Sequence, residues 1–212
     1  MIVVVDYGMG NLRSVAKALA HVAPSEEVVV SSDAAVILRA DRVVLPGQSA
    51  MPDCMKGLVA SGLVDTVRKV LEDRPFLGIC LGLQMLFDAS EEGPTECLHA
   101  VAGSVVRFRD QAMSAPGGAR LKVPHMGWSP VRQVRPHALW ADIEDGERFY
   151  FAHSYHPVPE DSSLTAATVD YPSAFTCAIA RANIFATQFH PEKSQRAGLT
   201  LLANFVTWDG RS

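Results

Sequence analysis

Apolar residues fall in short blocks along this chain, and through its first half the blocks alternate between two periods. Residues 2–5 are an unbroken β-branched run, the pattern of a strand covered on both faces. The run ends at Asp6 and a glycine-containing turn, Tyr7-Gly8-Met9-Gly10-Asn11. Beyond it Leu12, Val15, Ala16, Leu19 and Ala20 recur at helical spacing, with Asn11 placed to cap the helix. Residues 28–30 read as a second strand, 36–38 as a short helix and 42–45 as a third strand that stops at Pro46-Gly47-Gln48-Ser49. Residues 53–71 have helical period, broken near Ser61-Gly62. Residues 75–77 end another buried strand, and Leu83-Gln84-Met85-Leu86-Phe87 read as the first turns of a helix. Strand and helix alternate, which predicts a mostly parallel sheet with helices on both faces.

After Glu91-Glu92-Gly93-Pro94 the pattern changes. Residues 101–108, 127–134, 148–152, 164–169 and 175–181 are short runs between turn residues, and they read as strands, several of them antiparallel. Residues 109–120, with Pro116-Gly117-Gly118 and little periodicity, read as a mobile surface loop. Residues 184–189 form the last strand and 194–208 a closing helix with Leu199, Leu202, Ala203 and Val206 on one face. The fold class is α/β, a central mostly parallel sheet flanked by helices with added antiparallel strands. There is no internal repeat and no linker, so residues 1–212 are expected to form one domain.

Composition narrows the chemistry. A hydrophobic content of 48% is ample for a core without a disulfide framework. Cys54, Cys80, Cys97 and Cys177 form no CxxC pair, which argues against a zinc site or a redox dithiol and for a reducing, cytoplasmic compartment. The first residues lack the basic region and small-residue cleavage site of a signal peptide, and no apolar run reaches membrane-spanning length. A net charge of -4 with no basic block argues against nucleic acid as the main partner. The first turn is not GxGxxG, so a dinucleotide site is weakly supported and no cofactor is expected.

Two stretches carry nucleophilic chemistry. Gly78-Ile79-Cys80-Leu81-Gly82 lies where a strand turns sharply into a helix, the pattern of a nucleophile elbow with cysteine for serine. A Cβ at position 78 or 82 would collide with the neighbouring chain. At a helix N-terminus the thiolate of Cys80 is favoured, and the Leu81 amide points toward an oxyanion formed there. Taken alone, a buried structural cysteine beside packing glycines accounts for the same residues. The second stretch is Thr187-Gln188-Phe189-His190-Pro191-Glu192-Lys193-Ser194. A strand delivers His190 to a turn stiffened by Pro191, and Glu192 can fold back beneath the imidazole, as a base for a cysteine nucleophile requires. A surface His-Pro-Glu turn is the plainer alternative. His125 and His153 have no third ligand at suitable spacing, so they read as structural histidines and no metal is expected.

These two stretches, with Leu45-Pro46-Gly47, resemble the triad class of glutamine amidotransferases. Asp6-Tyr7-Gly8-Met9-Gly10-Asn11, Pro124-His125-Met126-Gly127-Trp128, Tyr150-Phe151-Ala152-His153-Ser154-Tyr155 and Pro191-Glu192-Lys193-Ser194 are similar to stretches of the glutaminase subunits of imidazole glycerol phosphate synthase. The resemblance implies a flavodoxin-like class I fold and glutamine hydrolysis by a Cys80, His190, Glu192 triad through a γ-glutamyl thioester. Backbone at Gly47, Gln48 and Leu81 would hold the oxyanion, and Gln84, Ser154 and Tyr155 the polar end of L-glutamine. Ammonia would pass to a separate (β/α)8 cyclase subunit that makes imidazole glycerol phosphate and AICAR in histidine biosynthesis. Tyr7, Asn11, Trp128, Tyr150 and Lys193 match positions at or near that heterodimer interface.

Ser49 departs from the family, which usually has glycine there. In relatives this turn flips a peptide to complete the oxyanion hole, so Ser49 is expected to slow the flip or hold the resting state. Low activity is expected of the isolated subunit. The alternatives are a subunit serving anthranilate, aminodeoxychorismate or guanylate synthesis, a non-catalytic binding subunit, and a cysteine peptidase or γ-glutamyl hydrolase with an open cleft. The stretches at residues 7–11 and 124–128 speak against the first, and the complete triad against the second.

Overall fold

The computed structural model describes residues 1–109 and 121–211. The main sheet opens with β1 (Ile2–Val5), β2 (Val28–Ser31), β3 (Arg42–Gly47) and β4 (Phe76–Cys80), separated by α1 (Leu12–Val22), α2 (Ala34–Leu38), α3 (Met51–Ala60) and α4 (Val64–Asp73). After α5 (Leu81–Gln84) come β5 (Ala89–Ser90), β6 (Thr95–Glu96), β7 (Gly103–Arg107), β8 (His125–Pro130), β9 (Arg132–Gln133) and β10 (Arg148–His153). Then follow β11 (Tyr155–Pro159), β12 (Thr165–Asp170), β13 (Ala174–Arg181), β14 (Ile184–Thr187) and α6 (Gln195–Thr207). The eight-stranded sheet has the order β2-β1-β3-β4-β14-β13-β12-β9. Its β2 to β14 half is parallel, and its β13, β12 and β9 half antiparallel. A β8–β10 ribbon and a four-stranded sheet, β11-β7-β5-β6, flank it.

The β-branched and aromatic runs of β1, β3, β4 and β14 are buried throughout apart from Arg42, as strands between two helical layers must be. Sequence and structure differ at four places. The third strand does not stop at Pro46: Pro46 and Gly47 stay in register with Ile79 and Cys80. The helix after Cys80 is only one turn, because carbonyls that would continue it are taken by another segment. Leu98 N donates to Met85 O, His99 N to Phe87 O, and Ala100 N and Val101 N to Leu86 O. In α6 the buried stripe is Ala197, Gly198, Leu201, Leu202 and Phe205, rotated from the expected one where Gly198 packs on Pro191. Strands β5, β6 and β11 were not read. The loop expected at 109–120 lies, beyond Arg109, outside the described residues.

The sheet order places the C-terminal ends of β3, β4 and β14 side by side. In an open α/β sheet that edge is where sites form.

Candidate active site

Cys80 ends β4 with φ 56° and ψ −110°, a left-handed conformation that is strained for any side chain but glycine. Three glycines make the bend possible. A Cβ on Gly78 would lie 2.8 Å from Gly82 O and 3.0 Å from Ala186 Cβ. One on Gly82 would fall on Leu45 O, and one on Gly47 would lie 2.6 Å from Leu81 Cβ and 2.9 Å from Gly82 N. The collisions expected at 78 and 82 are present, and Gly47 closes the contact from the β3 side. With only four residues, α5 offers the free amides of one turn and little macrodipole.

His190 is fixed by its backbone. Its amide donates to Tyr150 O at 2.9 Å, and its carbonyl accepts from the Ser194 hydroxyl at 2.6 Å and the Lys193 amide at 3.0 Å. Its Nδ1 lies 2.9 Å from Glu192 Oε1, and the Glu192 side chain is fully buried. A carboxylate only accepts, so Nδ1 carries the proton and Nε2 is left for Cys80. Burial works against the imidazolium, but the charge and hydrogen bonding of Cys80, followed by Glu192, outweigh it and raise His190 to about 10. The second carboxylate oxygen, Glu192 Oε2, is buried without a partner.

Cys80 and His190 line one cavity of about 240 Å³, together with Gln48, Leu81, Gln84, Ser154 and Tyr155. The structure therefore brings together every predicted substrate-side residue except Gly47, which lies beneath the elbow. Gln84 donates through Nε2 to Tyr155 O and Gln188 Oε1, both at 2.9 Å, while its Oε1 is buried and unpartnered. Ser49, on the rim, has φ 85°, the region glycine would ease. Its strain thus belongs to the state seen here.

Two residues were missed. Glu92 lines the cavity with a carboxylate oxygen held 2.8 Å from Met51 N. The sequence offered only an acidic pair, read as a boundary. Gln188 Nε2 lies 3.8 Å from Cys80 Sγ. It stood in the histidine motif, but no role was read for it. A larger hollow, about 500 Å³ between Arg68, Arg181 and Asn183, is lined by no cysteine, serine or threonine.

The expected partner residues divide. Trp128 is 40% exposed, and Tyr150 meets it edge-on at 6.1 Å with Lys193 Nζ 5.9 Å over its own ring. Asn11 is partly exposed, and its side chain makes no capping bond to α1. Tyr7, by contrast, is buried and donates to Pro46 O at 2.8 Å. It braces the end of β3 and is no exposed anchor. His125 and His153 lie 3.0 Å apart, ring nitrogen to ring nitrogen. Among the described residues no group of three or more His, Cys, Asp or Glu could hold a metal ion, and no helix is long and apolar enough to cross a membrane.

The family model described as glutamine amidotransferase class-I matches residues 3–208. The chain is 58% identical over 207 residues to the imidazole glycerol phosphate synthase subunit HisH of Aromatoleum aromaticum, covering 98% of each chain. It is 59% identical over 208 residues to the subunit HisH of Thiobacillus denitrificans, covering 98% of this chain and 91% of that one. A solved structure, PurLQS from Thermotoga maritima, is similar in fold, with a TM-score of 0.68 at 17% identity over 97% of this chain and 96% of that one. With an elbow cysteine and a carboxylate-held histidine in one small cavity, and with these relatives along nearly its whole length, the chain belongs to the class-I glutamine amidotransferases, among the HisH subunits of imidazole glycerol phosphate synthase.

Proposed function

We propose that this chain hydrolyses L-glutamine to glutamate and ammonia at Cys80, and supplies the ammonia to the cyclase subunit of imidazole glycerol phosphate synthase in histidine biosynthesis. The observation that carries the reading is the pairing in one cavity of Cys80 with an imidazole whose other nitrogen is held by Glu192 at 2.9 Å.

The Cys80 sulfur attacks the side-chain amide carbon, and His190 Nε2 takes the thiol proton. The tetrahedral oxyanion is held by the Leu81 amide and by backbone at Gly47 and Gln48. Removing one such donor costs about 3 kcal/mol of transition-state stabilisation. His190 returns the proton to the leaving nitrogen, ammonia departs and a γ-glutamyl thioester remains on Cys80. Water, deprotonated by His190, then cleaves the thioester to glutamate. Glu192 keeps Nδ1 protonated throughout and stabilises the imidazolium.

Substrate selection follows from the walls. The Glu92 carboxylate and the unpartnered Gln84 Oε1 suit an α-ammonium group, and backbone at Ser154 and Tyr155 completes the polar end. A cavity of about 240 Å³ lies below the roughly 300–1,000 Å³ of drug-sized ligand sites, which favours a single amino acid over an extended peptide. The cyclase docks on the face carrying Met126 and Trp128, with Asn11, Tyr150 and Lys193 beside it. The complex is cytoplasmic, and the free subunit has low activity that the liganded cyclase raises.

Diazo-oxo-norleucine, a glutamine-mimicking electrophile, tests the assignment. One adduct on Cys80 and none on Cys80→Ala is expected, while the Cys80→Ala complex still makes product from added ammonia. Adducts on another cysteine would overturn it.

A further inference from the structure

His125 and His153 take no part in the chemistry above, yet their hydrogen bonds can be assigned without ambiguity. His153 Nδ1 lies 2.8 Å from Tyr155 O, and a carbonyl can only accept, so Nδ1 is protonated and Nε2 carries a lone pair. That lone pair faces His125 Nδ1 at 3.0 Å, which must therefore donate. His125 Nε2 is then an acceptor, and the Ser129 hydroxyl donates to it at 2.8 Å. Both neutral rings are forced into the Nδ1–H form, the minor one of the free histidine side chain. His125 is clamped between Phe151 and Tyr171, with ring centroids 4.8 and 4.0 Å away, so neither ring can turn freely.

The far end of this chain is the substrate pocket. Tyr155 O also receives Gln84 Nε2 at 2.9 Å, and the other amide proton of Gln84 goes to Gln188 Oε1. Those two acceptors dictate which way the Gln84 amide faces. Flipped, its oxygen would meet two other oxygens. The near end is the docking strand. In the β8–β10 ribbon His125 stands opposite His153, while Trp128 stands opposite Tyr150 and Met126 and Trp128 are exposed.

We propose that His125 and His153 are positioning residues for glutamine: a proton-locked relay that pins the Tyr155 carbonyl, through it sets the Gln84 amide, and ties both to the strand on which the partner docks. The inference rests on the proposed function for the identity of the ligand that Gln84 meets and for the docking strand.

The test combines two measurements. Imidazole 15N spectra of the wild-type protein are expected to show Nδ1–H at both rings, and Nε2–H at either would overturn the relay whatever the enzyme does. In the complex with the cyclase, His153→Phe keeps the ring and removes both nitrogens, whereas His153→Asn places an amide donor where Nδ1 stood. His153→Phe is expected to raise KM for glutamine about five- to tenfold, the loss of roughly one hydrogen bond, with kcat nearly unchanged. His153→Asn is expected to restore KM to within about twofold of wild type. An unchanged KM in His153→Phe, or His153→Asn as impaired as His153→Phe, would sink the proposal. Should His153→Phe not fold, His125→Phe in the same assay and the wild-type spectra decide. Absence of glutaminase activity in the wild-type complex would defeat the functional reading and leave the relay to the spectra.

Discussion

Replacing Glu192 with Gln keeps the shape of a fully buried side chain and removes its charge. His190 and Glu192 are 6% and 0% exposed, so salt screens little of their attraction. The imidazole stands at about 10 instead of 6.5, with Cys80 contributing more than Glu192 and burial opposing both. The carboxylate's share is therefore the smaller part of that rise, and removing its charge lowers His190 from that value. The glutamine amide adds a second fault, because it can present a donor to Nδ1 and drive the proton to Nε2, where the base must be vacant. Loss of the carboxylate should weaken His190 as the base that receives the thiol proton, and kcat should fall at least about tenfold. A group with a raised folded pKa gives stability that is complete below its unfolded value and lost as pH rises through the folded one. The stability advantage of wild type over Glu192→Gln should accordingly be present at neutral pH and fade toward pH 10. Alkylation of Cys80 by iodoacetamide against pH, followed by mass spectrometry, reads the pair directly. A Glu192→Gln profile superimposable on wild type would refute the role given to the carboxylate.

Three further outcomes are accessible. Ser49→Gly removes about 1 kcal/mol of strain from the resting turn at φ 85°, so the free subunit's glutaminase rate should fall by up to about fivefold; an unchanged rate would mean that the turn does not rearrange. Burial holds His125 down to about 4 and His153 well below 6.5, so their neutral forms give stability above about pH 6.5 that is lost as pH falls through the folded values. Between about pH 7.5 and 5 His125 should withdraw roughly 1–2 kcal/mol and His153 should act in the same direction, against the opposite trend of His190, and thermal unfolding of His125→Phe should be less acid-sensitive than that of wild type. Trp128→Ala should weaken cyclase binding by about 2 kcal/mol, near thirtyfold by calorimetry, and an unaltered affinity would move the docking face elsewhere.

The elbow was legible because its requirements are local. Gly78 and Gly82 are each demanded by backbone within a few residues or by the adjacent strand. The histidine turn was legible for the same reason, since Glu192 reaches His190 across two residues. What no local pattern states is that β14 lies beside β4, the pairing that brings His190 to Cys80. The two stretches were joined by the need of a cysteine nucleophile for a base, and by the family resemblance. Strand β11 was missed because Pro157 and Pro159 argue against a central strand, yet β11 is an edge strand paired only with β7, where proline is tolerated. Glu92 was opaque because its value depends on a turn folding over the start of α3 to meet Met51 N. Tyr7 was expected at the interface only because it matches a family position; its burial follows from the packing of α3 over the first turn, where a Cβ on Gly57 would lie 2.8 Å from Tyr7 O.

Four costly features meet at the active site, although positive φ and unpartnered buried atoms also occur elsewhere, as at Asp142 and Trp140. Cys80 and Ser49 both hold positive φ, and Gln84 Oε1 and Glu192 Oε2 are buried without partners. Each such feature costs on the order of 1–3 kcal/mol, and none would persist on a loose loop. They persist here because the strands beneath, β3, β4 and β14, are central and almost wholly buried, so the sheet over-determines the tips it carries. An acceptor such as Gln84 Oε1 gains its hydrogen bond only when a donor enters the cavity, and Ser49 relaxes only if the rim turns over. Substrate and partner binding can therefore lower the free energy of groups that the resting subunit leaves unsatisfied. A cysteine made reactive by its position can in this way stay largely idle until both ligands are in place.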